Sequence, residues 1–267
     1  MTRKILSLFL LLAVVVGCSR GAAESESSAA AAAPPSSAPA SAVMPVKDKT
    51  ADDVITAYIA ARGGKEKIAA VQSVRMVGTL SGGGMKGLPT TVEKKRPNKF
   101  RRVLEDPEGR GVNAVDGDNA WQVGGPAGPN PAKVPPKAAL RFKRASDMDG
   151  ALVDYKAKGH QVELLGKEKL GDSEAYKLRV KFKDGEEGMF WIDTKSNLLV
   201  KMAEPALTPM GIKQVEVRYR DYKTVNGVSW PYTEMVSVPD SGFAQTVVWR
   251  DIQVNVPIDD ASFKMPS

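Results

Sequence analysis

Between Ala175 and Lys183 the chain reads Ala-Tyr-Lys-Leu-Arg-Val-Lys-Phe-Lys, a strict alternation of apolar and basic side chains. Tyr176, Leu178, Val180 and Phe182 share one face of such a segment, while Lys177, Arg179, Lys181 and Lys183 share the other. Period two belongs to a β-strand with one dry and one wet side, because successive side chains point to opposite faces. A looser form of the pattern begins after residue 71, where Val74, Met76, Gly78 and Leu80 alternate with Arg75, Val77 and Thr79. It recurs at 86–96, 99–105, 110–115, 161–169, 188–194, 198–203, 213–221, 229–238 and 245–254. Turn residues punctuate the runs: Asp106-Pro107-Glu108-Gly109, Asp116-Gly117-Asp118, Asp184-Gly185 and Asn226-Gly227.

Helical signals are few. Thr50 is placed to cap a helix with Asp52 and Asp53 in its first turn, Val54, Ile55, Tyr58 and Ile59 on one face, and Gly63-Gly64 as its stop. Lys65–Ala70 reads as a second short helix, and 137–158 as a third burying Leu140, Phe142, Leu152 and Val153. The Gly- and Pro-rich stretch 124–136 reads as an irregular loop. About ten meandering strands with a few helices predict a mainly β domain over residues 50–267: a strongly curved antiparallel sheet or barrel with helices over one opening or face. With aromatic residues at only 6%, its core must be largely aliphatic.

The N-terminus supplies an address. Arg3 and Lys4 precede an apolar run from Ile5 to Val16, broken only by Ser7 and followed by Gly17 and Cys18. This reads as a signal peptide, residues 1–17, too short to remain comfortably as a spanning helix. The ending Val15-Val16-Gly17-Cys18 resembles the bacterial lipobox, which implies acylation of Cys18; ordinary cleavage near Gly17 is the plainer alternative. Two or three acyl chains on Cys18 would hold the chain stably to a membrane without crossing it. Ser19 after the Cys resembles the pattern sorted to the outer membrane in a Gram-negative cell. Residues 21–42 are Ala, Ser and Pro but for Gly21, Glu24 and Glu26, so 18–49 reads as a disordered tether. Losing residues 1–17 removes two of the cations behind the formal charge of +7. What remains matches anionic lipid head groups or acidic partners, since export argues against nucleic acid.

The counts narrow the chemistry. One Cys excludes internal disulfides and Cys-rich zinc sites; one His excludes a His₃ centre and the two-His metalloprotease helix. His160 has no nucleophile elbow near it, and Asp52-Asp53, Glu186-Glu187 and Asp259-Asp260 fall at a helix start, a turn and the tail. Asp147-Met148-Asp149-Gly150 lacks the remaining acids of a calcium loop, and no Gly-rich stretch has phosphate-loop or dinucleotide spacing. No catalytic residues, metal site or cofactor are assigned.

Two surface features remain. Lys94, Lys95, Arg96, Lys99, Arg101 and Arg102 form a dense basic hairpin, either a solvated strand face or a patch for an anionic partner. Met76, Leu80, Trp121, Leu178, Val180, Phe182, Trp191, Val217, Tyr219 and Trp230, with Trp249, are either ordinary core or, in a sheet that fails to close, the wall of a cavity for an acyl chain.

The segments Ala57-Tyr-Ile-Ala-Ala-Arg-Gly-Gly64 and Val71-Gln-Ser-Val-Arg-Met-Val-Gly78 resemble the opening of the LolA/LolB-like superfamily of outer-membrane lipoprotein-sorting proteins. Ala175-Tyr-Lys-Leu178, Phe190-Trp-Ile-Asp193 and Leu198-Leu-Val-Lys201 are similar to its central strands, and Asp221–Gly227 with Trp230-Pro231 to its later hairpin. The resemblance covers about residues 50–256 in patches. It implies an unclosed antiparallel half-barrel of about 10–11 strands, its concave face covered by N-terminal and central helices around a hydrophobic cavity. It also implies a non-enzymatic periplasmic lipoprotein that takes acyl chains of lipoproteins or other lipids, with a periplasmic carrier or another envelope protein as partner. The alternative is an envelope interaction module with a filled core and a basic binding face.

Overall fold

A computed structural model describes residues 42–266, except 108, 209 and 210. Cys18, the apolar run before it and most of the Ala/Ser/Pro segment lie outside the described residues.

Thr50 starts α1 (Ala51–Ala61) with a capping box: its hydroxyl oxygen accepts the Asp53 N–H at 3.2 Å, and the Asp53 carboxylate accepts the Thr50 N–H at 2.7 Å. Val54, Ile55 and Tyr58 are buried, as the helical spacing predicts. Beyond the last residues of α1 the chain turns at Gly63, whose φ is +120°, and a Cβ there would stand 2.0 Å from the Gly227 carbonyl oxygen. Only glycine fits both the backbone angle and that approach. The short α2 (Lys65–Ala70) buries Ile68 and delivers the chain into the sheet.

Six strands then meander: β1 (Ser73–Gly82), β2 (Met85–Lys95), β3 (Lys99–Asp106), β4 (Gly109–Asp116), β5 (Asn119–Val123) and β6 (Ala132–Lys133). After α3 (Pro136–Ser146) follow β7 (Gln161–Leu170), β8 (Ser173–Lys181), β9 (Glu187–Asp193), β10 (Leu199–Thr208), β11 (Gly211–Val225), β12 (Val228–Val238) and β13 (Phe243–Val254). All belong to one antiparallel sheet ordered β6-β5-β4-β3-β2-β1-β13-β12-β11-β10-β9-β8-β7. The first and last strands meet at its centre, and β6 and β7 form its two ends. The fold is thus the mainly β, unclosed antiparallel sheet expected, with 13 strands rather than 10 or 11. The additional pieces are β5 and the two-residue β6.

The chain must travel from one end of this sheet to the other between β6 and β7, and α3 makes that passage across one face. It packs against β3, β4 and β5 and also against β10, six strand positions beyond β3. A flat sheet would separate β3 from β10 by about 29 Å, whereas an 11-residue helix is about 16 Å long. The sheet must therefore curl around α3, and the face carrying the helices is the inner, concave one.

The third helix is shorter than the 137–158 expected. It stops at Ser146 because Asp147 adopts an extended conformation and its carboxylate accepts the Asp149 N–H at 3.1 Å, a local turn that competes with helix. Turns fill 151–159, and Leu152 and Val153 are still buried. The edge strand β7 is partly covered: Met44, inside the segment assigned to the tether, exchanges backbone hydrogen bonds of 2.7 and 2.8 Å with Lys167. No helix among the described residues is long and apolar enough to cross a membrane.

Candidate functional site: the inner face of the sheet

Strand alternation decides which side chains the concavity receives. On one half of the sheet, Tyr176, Leu178, Val180, Phe182, Phe190 and Ile192 pack with Val54, Ile55 and Tyr58 of α1 and with Leu152. Leu178 and Val180 are wholly buried, so they form a filled core beneath α1. On the other half, Met76, Leu80, Trp230 and Trp249 gather with Phe100, Leu104 and Val247 beneath α2 and α3, where Ala138 and Ala139 are buried and Phe142 is half-buried. Val217 pairs with Met202 and Val236, and Tyr219 with Glu234, on the same inner face between these halves.

Trp121 and Trp191 lie on the opposite side. Trp121 packs with Val103, Val112 and Ala114, apart from the inner cluster that holds its neighbour Ala120, and its indole N–H donates to the Phe263 carbonyl at 2.7 Å. Trp191 packs with Ala175 and Ala203, between Phe190 and Ile192 that both face α1. Lys177 and Lys201, its cross-strand neighbours, place their ammonium groups 5.2 and 4.5 Å from its ring centroid. Period two forces the assignment: an indole cannot share a face with its immediate neighbours.

The basic run is divided in the same way. Lys95, Lys99 and Arg101 point outward into ion pairs: Lys95 with Asp260 at 2.8 Å, Lys99 with Asp116 at 2.6 Å, Arg101 with Glu93 at 3.2 Å. Arg75 joins the same Glu93 at 2.9 Å. Arg96 holds the loop after α3. Its guanidinium grips the Asp149 carboxylate with two nitrogens and donates to the Val71 and Ile68 carbonyls at 2.7 and 3.2 Å. Burial opposes the Asp149 charge, but the Arg96 hydrogen bonds and the Arg96, Lys158 and Arg62 charges outweigh it, and the carboxyl sits below its usual range. Lys94 and Arg102 turn inward. Val92, which pairs with Arg102, and Phe100, which pairs with Lys94, both belong to the inner cluster.

The inner face therefore carries charged side chains beside its apolar ones. Burial lowers the Lys94 ammonium and the Arg141 guanidinium from their ordinary values and takes Arg102 to about 10. Glu234 opposes the shift at Lys94 and Arg102, and Glu204 opposes it at Arg141. Burial also pushes the Tyr219 hydroxyl well up, with Glu234 adding to the effect, so it stays protonated. The Glu234 carboxylate accepts the Trp249 indole N–H at 2.9 Å. The spacing within 99–105 held the signal for an inward Arg102, since Phe100, Arg102 and Leu104 share one face.

The acid pairs serve structure. Asp52 accepts from Tyr155 and Lys156, Asp53 caps α1, Glu186 accepts from Arg144, Asp259 caps a turn and Asp260 meets Lys95. His160 Nδ1 accepts the Lys183 N–H at 3.0 Å, with its ring edge-on to Phe182. Among the described residues no group of three or more His, Cys, Asp or Glu is placed to hold a metal ion.

An open antiparallel sheet curled around helices on its concave face is the class of fold these features define. No family model and no curated protein sequence matches the chain. Solved structures do match by fold. A LolA superfamily protein from Nitrosomonas europaea superposes with a TM-score of 0.52 at 14% identity, over 81% of this chain and 98% of that one. A DUF1329 family protein from Desulfovibrio piger gives 0.53 at 11% identity, over 80% and 96%. A domain assigned to outer membrane lipoprotein sorting from Vibrio parahaemolyticus gives 0.51 at 9% identity, over 79% and 94%. The chain has the LolA-like fold; at these identities the likeness is one of architecture, and function has to be argued from the site.

Proposed function

We propose that this chain is a lipid-anchored envelope protein that captures acyl chains of lipoproteins or other lipids in its concavity, without catalysis. Cys18 would fix it to the outer membrane facing the periplasm, and the Ala/Ser/Pro segment would let the domain meet a periplasmic carrier or another envelope protein. The observation that carries this reading is the unclosed sheet. Its inner apolar face is covered by short helices instead of a second sheet, so α3 can shift without breaking strand pairing. Burying acyl surface there stabilises a complex by roughly 25 cal/mol per Å². Likeness to a lipoprotein-sorting domain supports the reading at the level of fold.

The test uses the full chain, exported and purified, and a fluorescent acylated peptide read by polarisation. Saturable binding is expected, competed by unlabelled acylated peptide and weakened at least fivefold by Phe142→Asp, which puts a charge on the half-buried inner side of α3. No binding by the folded wild-type protein would overturn the proposal and favour an interaction module whose core is filled.

A further inference from the structure

Three cations reach the concavity from two directions. Lys94 of β2 and Arg102 of β3 rise from the sheet, and Arg141 of α3 stands within electrostatic reach of Glu204 and Tyr219. Arg102 Nε and Arg141 Nη1 are buried without a hydrogen-bond partner among the described residues. The acids within reach do not balance them. Glu234 influences both Lys94 and Arg102 while holding the Trp249 N–H, Asp147 acts on Lys94 but is itself bound by Lys158, and Glu204 is shared between Arg141 and Arg144, whose Nε stands 3.4 Å away. The three side chains are half-buried, and whatever part of their charge leaves water is costly unless opposite charge and hydrogen bonds replace the solvent. Apolar walls adjoin this belt: Phe100 and Leu104 flank Arg102 along β3, and both belong to the inner apolar cluster.

The geometry points to an anionic head-group site: Arg102, Arg141 and Lys94 bind the acidic head of an amphiphile whose chain lies along the inner apolar cluster. This rests on the acyl-capture reading above and adds to it the charge class of the ligand. Arg102 and Arg141 each present a planar fork suited to a phosphate or carboxylate, and Lys94 supplies a point charge. The protonated Tyr219 hydroxyl, across from Glu234, is a further donor. A neutral amphiphile would fill the apolar wall and leave the two guanidinium N–H groups unmet.

The test compares lysophosphatidic acid with the monoacylglycerol of the same chain length, each displacing the fluorescent acyl probe from the full-length protein. Lysophosphatidic acid is expected to bind at least tenfold more tightly. Arg102→Gln and Arg141→Gln should each erode that preference severalfold, weakening lysophosphatidic acid more than monoacylglycerol. Equal affinities for the two lipids, with the probe bound, would overturn the head-group site and leave acyl capture standing. A probe that never binds would overturn both. Inorganic phosphate should not displace the probe or protect the protein at concentrations where lysophosphatidic acid does; equal protection would mean a free-anion site and overturn the amphiphile assignment. Thermal melting without ligand is an independent check. Arg102→Met should melt no lower than wild type and lose most of the rise that lysophosphatidic acid gives. A lower melting point for Arg102→Met would mean that the protein itself satisfies Arg102, and would overturn the site.

Discussion

The guanidinium of Arg144 lies over the ring of Phe182, 4.4 Å from its centroid, and so ties the last turn of α3 to the β8–β9 turn across the concavity. Asp184 and Glu186 receive its terminal nitrogens at 2.7 and 2.8 Å, and Nε faces the nearly buried Glu204 at 3.4 Å. Burial opposes the Arg144 charge, yet these three carboxylates raise its pKa. Arg144→Met keeps the stem and removes the charge, leaving Glu204 with only the more distant influence of Arg141. Urea unfolding should show a loss of about 3 kcal/mol. Because α3 would be freed from its far anchor, probe release should also accelerate; an unchanged release rate would mean that α3 does not gate entry.

Asp149 and Arg96 join the loop after α3 to the β2–β3 hairpin with side chains that are 20% and 27% exposed. Asp149→Asn should cost about 2 kcal/mol near neutral pH, less than a fully buried pair because water still reaches both groups. The folded carboxyl has its pKa below the usual 3.8. Its contribution is thus complete above the unfolded value and lost as pH falls through the folded one. Chemical denaturation of wild type and variant should differ by a constant amount from pH 5 to 7 and begin to converge only below about pH 4. A difference that fades already near pH 6 would assign it to another group.

Trp191 on the outer face separates stability from binding. Trp191→Ala removes a buried indole from between Lys177 and Lys201 and should destabilise the protein by about 3 kcal/mol. Affinity for the acylated peptide should stay within twofold of wild type, because the side chain points away from α1 and α3. Phe142→Asp, by contrast, should lower affinity at least fivefold in the same polarisation assay.

Gly63 joins α1 to the β11–β12 turn through its closeness to Gly227. Gly63→Ala has to move the Gly227 carbonyl and holds Ala at a φ of +120°, so a loss of at least about 2 kcal/mol is expected in thermal or urea unfolding. Gly64→Ala is the control. A Cβ there meets nothing within 4 Å, which leaves only the backbone strain of its positive φ.

The strands that alternate were legible in the sequence, and two that do not were missed for one reason. In β5, Ala120, Trp121 and Gln122 are all buried, because the inner cluster takes Ala120 while the turn at Phe263 covers Trp121 from the other side. A strand dry on both faces has no polar beat to read. β6 has only two residues, too few for any period. The basic run misled in the opposite sense. Six cations within nine residues look like one surface, yet successive residues of a strand face opposite ways, and Arg96 leaves the strand to hold a loop.

The local pattern by itself determined the antiparallel β meander, the capped first helix, its glycine stop and most of the strands, because each follows from neighbours within a few residues. Which face became the inside was a tertiary decision. It depended on α3 crossing from one sheet end to the other, on α1 settling over Leu178 and Val180, and on the C-terminal turn covering Trp121. Those contacts join residues up to 142 positions apart, and no period in the chain encodes them. They turn two tryptophans outward and two basic residues inward, and so set the chemistry that the concavity offers.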